Sequence, residues 1–272
     1  MTVPNAPAVS ARNRPPLPRA FWRYQPVYSV LIALVAWELS SRFALINPYF
    51  FPEPSKIAVT ALDLTLTGEL LTHSGATFLR AIVALGLSIA AGVPLGILVA
   101  RVRAFRWFFD PLISFGFPIP KITLWPIFVL WFGFHDVSKI LLTAFACVLP
   151  ILSATQLATL DVDKYLLWSA RNMGTGEYKL LWKVIFHAAF PNILTGIQTV
   201  LPVAFIVTVL TEMLSGGVGL GAMIMMAGQL ADMPTLFVGI IVASLLGYCT
   251  MRAVEFLRRR LLVWHEETAT HQ

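Results

Sequence analysis

Lys121 is the first residue here that invites a chemical reading. It stands beside Pro120 inside a long apolar run, Phe117-Pro118-Ile119-Pro120-Lys121-Ile122-Thr123-Leu124-Trp125-Pro126. An ionisable group at the centre of a membrane helix costs roughly 2.5–3.5 kcal/mol on insertion scales, so it needs a purpose. A cation there could offset the desolvation of a small anion in transit, or it could pair with a carboxylate as scaffold. Glu212 closes another apolar run just before Ser215-Gly216-Gly217-Val218-Gly219-Leu220-Gly221. It could gate a pathway or cap that glycine-rich segment. Glu38 and Arg80 also fall in apolar runs and could pair, whereas Arg252, Glu255 and Arg259 have the i, i+3/i+4 spacing of an ordinary helix ladder.

Catalytic constellations do not assemble from these groups. The carboxylates Glu38, Glu212 and Glu255 are scattered, and His73, His135, His187, His265 and His271 lack H-E-x-x-H or H-x-x-E-H spacing. Met213, Met223, Met225, Met226 and Met233 cluster around residues 214–233. Soft thioethers suit Cu(I), but flexible apolar packing is the favoured reading and no metal site is assigned. No G-x-x-x-x-G-K-[ST] phosphate loop occurs, so the chain is read as a non-enzyme.

The elements that must position these residues are membrane spans. Of the 272 residues, 57% are apolar and 12% charged, with mean hydropathy +0.75. Soluble domains carry about 25% charged residues. The net charge of +6 resides at span ends, where it sets topology, rather than on a soluble face, so nucleic-acid binding is set aside. Cys147 and Cys249 lie in apolar runs and read as packing residues.

A span needs about 20 apolar residues. Six segments qualify, at 26–45, 77–100, 108–134, 138–158, 191–213 and 234–257, predicting an all-α polytopic membrane protein. Residues 1–25, with Arg12, Arg14, Arg19 and Arg23, read as a basic disordered tail, 26–257 as the membrane domain, and 258–272 as a second tail. A cleaved signal peptide competes at the start, but the run from Pro26 is long for one and lacks a small-x-small cleavage site. The third segment, broken by Pro111, Pro118, Pro120 and Pro126, is either a pathway-lining helix or a kinked packing helix. Basic residues collect in the first tail, at Arg101, Arg103 and Arg106, between 161 and 190, and at Arg258, Arg259 and Arg260. The opposite side receives only Lys56 and Lys139. By the positive-inside rule both termini and the 161–190 segment face the cytoplasm.

That segment, Asp161 to Pro191, reads DVDKYLLWSARNMGTGEYKLLWKVIFHAAFP. Leu166, Leu167 and Ala170 face away from Lys164, Trp168 and Arg171 in its first half. In its second half Leu181, Val184, Ile185 and Ala188 form an apolar stripe at i, i+3, i+4 and i+7. Gly174 and Gly176 would both supply positive φ at the turn, Glu177 would favour a helix N-terminus, and Pro191 would open the next span. The elbow is either an amphipathic hairpin on the lipid surface or a docking element for a soluble partner.

Ser169-Ala170-Arg171-Asn172-Met173-Gly174, with Pro191 seventeen residues after the glycine, resembles the EAA loop of ABC importer permeases. Trp168, Ser169 and His187 stand where that family has Glu, Ala and Pro. Phe51-Pro52-Glu53-Pro54-Ser55, the 117–126 run, Leu130-Trp131-Phe132-Gly133, Glu212-Met213 with Gly219-Leu220-Gly221, and Leu261-Leu262-Val263-Trp264 resemble its nitrate/sulfonate/taurine branch. The resemblance spans about residues 27–265. It implies a type I ABC importer permease fold with six spans, working as a homodimer in a bacterial inner membrane among membrane lipid. Two ABC ATPase subunits, which would use ATP and Mg while this chain binds no cofactor, would drive it, and an extracytoplasmic solute-binding protein would deliver the solute. Ser169, Ala170, Arg171, Gly174, Gly176 and Glu177 would couple to the ATPase; Pro118, Pro120, Lys121, Trp125 and Glu212 would line the pathway. The solute implied first is a sulfonate, taurine or nitrate, with aromatic carboxylates and thiamine- or flavin-type precursors as alternatives.

Overall fold

The computed structural model describes residues 25–262; the basic tail before residue 25 and the segment 263–272 lie outside them. Contacts divide the chain into two units, residues 1–56 and 57–272. In the first, helix α1 (Gln25–Arg42) carries Glu38, which accepts from Arg42 Nε at 2.7 Å and from Ser55 N and Oγ at 3.0 and 2.8 Å. Glu38 is thus held by Arg42 and Ser55, and the pairing considered with Arg80 is not what the structure shows. The described residues of α1 include Gln25, Glu38 and Arg42, and it is not among the helices below that are long and apolar enough to cross.

The remaining chain runs through α2 (Pro54–Leu66), α3 (Glu69–Arg101), α4 (Arg103–Gly116), a 3₁₀ turn (Lys121–Leu124), α5 (Trp125–Phe132), α6 (Asp136–Leu160), α7 (Lys164–Asn172), α8 (Glu177–Ser215), α9 (Leu220–Gln229) and α10 (Met233–Leu261). No strand occurs among the described residues. Helices α3, α6, α8 and α10 are long and apolar enough to cross a membrane. A fifth span results if α4, the 3₁₀ turn and α5 form one broken crossing, bent by 96°.

The bend replaces the expected continuous third span. Pro118 and Pro120 bracket Ile119 and remove two N–H donors directly after Phe117, the C-cap of α4, which itself stays helical at φ −62° and ψ −49°. Pro111 is tolerated inside α4, and Pro126 sits in the first turn of α5, where its missing N–H costs nothing.

Helices α3, α6 and α8 form the heart of the larger unit. Ala81 and Leu85 of α3, Cys147 and Ile151 of α6, and Val200, Leu201, Ala204 and Phe205 of α8 make one buried cluster. Hydrocarbon surroundings give no hydrophobic drive, so close packing of small residues must hold the helices together. Gly96 shows how tight that is: a Cβ there would lie 2.6 Å from both Leu152 O and Thr155 Cβ.

The expected boundary at Pro191 does not exist. Helix α8 begins at Glu177 and continues through Pro191 and Pro202 to Ser215. Residues Leu180–Ile185 take a π-helical turn, which absorbs one extra residue. The buried stripe therefore runs Leu180, Ile185, Ala189, Ile193. Leu181 and Val184 are only half-buried and Ala188 is exposed, which shifts the predicted face.

Candidate functional site

Asp163 starts the elbow by accepting the Tyr165 N–H at 2.8 Å, capping α7. Gly174 ends α7 at φ +78°. Thr175 N donates to Ala170 O at 3.1 Å and Gly174 N to Arg171 O at 2.9 Å, the paired bonds of a Schellman turn. Gly176 behaves differently: at φ −67° and ψ 155° it is an extended N-cap for α8, so only Gly174 uses left-handed backbone. Arg171 Nε and Nη2 then reach Glu177 Oε1 and Oε2 at 3.0 and 3.3 Å across the turn.

Underneath, Leu167 and Ala170 pack with Ala158 near the end of α6, with Val162 just after it, and with Leu180, Ile185, Ala189 and Ile193 of α8. Ala170 is therefore part of the packing, whereas Ser169, Arg171, Gly174, Gly176 and Glu177 are exposed. The outer face also presents Tyr165, Trp168, Met173, Tyr178 and Trp182, each at least half exposed. Sequence reasoning placed only Trp168 on this face; four aromatic side chains and Met173 in so polar a segment were the available signal.

The predicted pathway residues separate. Pro118 and Pro120 are exposed in the 96° bend. Lys121 opens the 3₁₀ turn, donates from Nζ to Phe117 O at 2.9 Å and lies 5.7 Å from the Phe117 ring centroid. Among the described residues no carboxylate pairs with it. Trp125 is buried at the start of α5. A separate groove of about 420 Å³ lies between α8 and α10, lined by residues such as Pro202, Phe205, Ile206, Gly247, Tyr248 and Met251. None of the predicted pathway residues lines it.

Glu212 belongs to neither place. It is fully buried, and its carboxylate takes Arg80 Nη1 at 2.5 Å, Thr77 Oγ1 at 2.8 Å and the Gly221 N–H at 3.0 Å. Arg80, itself buried, reaches Asp136 Oδ1 at 2.7 Å with its other nitrogen. These partners come from α3, α6 and α9, far apart in sequence. Lys139, 4% exposed, bonds the Gly216 carbonyl at 3.3 Å; it is a structural cation rather than a charge in a free loop.

Residues 92–263 match the family described as binding-protein-dependent transport system inner membrane component. A Bacillus subtilis protein named as an aliphatic sulfonates transport permease, SsuC, is 32% identical over 97% of this chain and 95% of its own length. The taurine transport system permease protein TauC of Escherichia coli is 29% identical over 88% of this chain and 89% of its own. The formylaminopyrimidine transport permease protein ThiX of Halalkalibacterium halodurans is 30% identical over 92% and 99%. Among solved structures, a chain of the inward-facing MetNI methionine ABC transporter superposes with TM-score 0.62 at 16% identity, over 72% of this chain and 97% of that one. A second crystal form gives 0.61.

Proposed function

The chain belongs to the binding-protein-dependent transport system inner membrane components, and from that premise we propose that it imports a small anion, of the sulfonate, taurine or nitrate kind, by alternating access. It is the permease component of an ABC importer and not an enzyme; ATP hydrolysis belongs to a separate subunit. In the proposed assembly two copies of this chain meet two ATPase subunits through the elbow, and a solute-binding protein delivers from the other side. Both termini and the elbow lie in the cytoplasm, on the positive-inside rule.

Lys121 carries the anion reading. A cation with no carboxylate partner among the described residues, in a bend where prolines interrupt the helix, keeps donors free for a passing anion. The sulfonate- and taurine-named relatives point the same way. The ThiX likeness favours a second reading, a formylaminopyrimidine-type solute. The test is ATP-driven uptake by the purified complex in proteoliposomes, with Lys121→Ala against wild type. Loss of uptake with the complex still assembled supports the anion path; unchanged uptake returns Lys121 to scaffold.

In the elbow, the exposed side chains of Tyr165, Trp168, Tyr178 and Trp182 supply the surface that docking onto an ATPase subunit would cover. When a bound ATPase dimer closes, the elbow moves, and the shared apolar cluster passes that motion to α6 and α8.

A further inference from the structure

The residues around Glu212 do more than neutralise it. Between Ser215 and Leu220 the backbone makes a loop with Gly216, Gly217 and Gly219 at φ of +67°, +84° and +141°. Such a glycine-rich loop loses much chain entropy on ordering and would be expected to move freely. Yet several polar backbone groups of the loop and of the first residues of α9 are taken by buried or half-buried side chains from the surrounding helices. Gly216 O accepts from Lys139 at 3.3 Å and Val218 O from Arg80 Nη1 at 2.7 Å. The Gly219 N–H reaches His73 Nδ1 at 3.0 Å, Leu220 N donates to Thr77 Oγ1 at 2.8 Å, and Gly221 N donates to Glu212 at 3.0 Å. Gly219 has no room for a side chain, since a Cβ would collide with the Glu212 carboxyl group.

We propose that Arg80 and Glu212, with Thr77, are positioning residues that clamp loop 216–221 onto α3, α6 and α8, making it a rigid part of the body to which the elbow is also joined. Glu212 is then neither a gate nor a solute contact. Its carboxylate is the resident anion at the N-terminus of α9, occupying the site that a free anion would otherwise be offered. Clamp and elbow lie at opposite ends of α6, whose 25 residues span about 37 Å at 1.5 Å per residue. Motion applied at the elbow reaches the loop along α6, which stays helical from Asp136 to Leu160 with Pro150 inside it. This link to transport rests on the importer reading; the clamp itself does not.

The test separates a clamp from a merely stabilising ion pair. The single variant Arg80→Met leaves the fully buried Glu212 carboxylate without its cation and should lower the melting temperature sharply, whereas Glu212→Leu leaves Arg80 paired with Asp136 and should lower it less. The double variant Arg80→Met with Glu212→Leu removes both charges, and such swaps often restore stability. Amide hydrogen exchange, read by mass spectrometry on the 216–223 peptide in lipid nanodiscs, then decides. A clamp predicts exchange at least tenfold faster in the double variant, with the 140–160 peptides unchanged. Wild-type protection in that variant would overturn the proposal, because the loop would be ordering itself. Should the double variant not fold, Thr77→Val removes the acceptor of the Leu220 N–H and one donor to Glu212 while keeping the Arg80–Glu212 pair, and is judged by the same two outcomes. Faster exchange without loss of ATPase copurification supports the clamp, and unchanged exchange sinks it. Failure of Lys121→Ala to affect uptake would leave this result untouched.

Discussion

Replacing Gly174 by valine should release the elbow from its partner while leaving the helix bundle folded. Gly174 sits at φ +78°, and a Cβ added there would meet nothing within 4 Å. The whole cost is therefore backbone strain, about 1–2 kcal/mol for an L-residue in the left-handed region and more for a β-branched one. Two bonds depend on that geometry, Thr175 N to Ala170 O and Gly174 N to Arg171 O. A penalty of about 1–2 kcal/mol lowers the population of the closed turn by a factor of roughly 5–30 relative to its alternatives. Apparent affinity for a partner that selects the turn falls with its population. Gly176→Ser is the control. Gly176 is an N-cap at φ −67° with open space around it, and serine is favoured at that position. The assay is quantitative copurification of the ATPase subunit from native membranes, with the melting temperature of the permease measured alongside. Lost copurification for Gly174→Val and wild-type recovery for Gly176→Ser are expected. Full retention by Gly174→Val, or equal loss in both, would refute the argument that one left-handed residue shapes the docking surface.

Gly96→Val should lower the melting temperature by the equivalent of about 1–3 kcal/mol, because the new side chain meets Leu152 O and Thr155 where α3 crosses α6; a thermal scan in detergent checks it. Arg171→Ala should cost less than about 1 kcal/mol of stability, since the Arg171–Glu177 pair is half exposed or more on both sides. Trp168→Ala, on the exposed face, should leave the melting temperature unchanged and reduce ATPase copurification at least tenfold in apparent affinity, as a truncated interface aromatic would. A shift in stability with no change in copurification would place Trp168 in packing instead.

The long spans α3, α6, α8 and α10 were legible because an apolar run of span length admits few other structures. The elbow was legible too, as two helical stretches on either side of a glycine. What escaped depends on information that is not local. Prolines at 118 and 120 are compatible with a kink or with a break, and only packing decides for the 96° bend. The π turn at Leu180–Ile185 shifts the buried stripe by one residue, and a 3.6-residue period cannot foresee that. Gly174 and Gly176 look alike in sequence, but the Schellman bonds need a left-handed residue only at the first. Arg80 and Glu212 are 132 positions apart, so no spacing rule could join them, and Glu38 was the nearer guess. The resemblance at Glu212-Met213 and Gly219-Leu220-Gly221 named residues that the structure brings together, without giving a reason for it. That reason is a carboxylate that leaves no space for a Cβ at Gly219.

ATP-driven uptake of labelled taurine by the copurified complex, reconstituted in proteoliposomes with its binding protein, tests the anion-importer account most directly. The account predicts accumulation that requires ATP, is competed by other small sulfonates, and falls in Lys121→Ala without loss of the assembled complex. A complex that hydrolyses ATP and accumulates a formylaminopyrimidine, with no competition from sulfonates and no effect of Lys121→Ala, would contradict it.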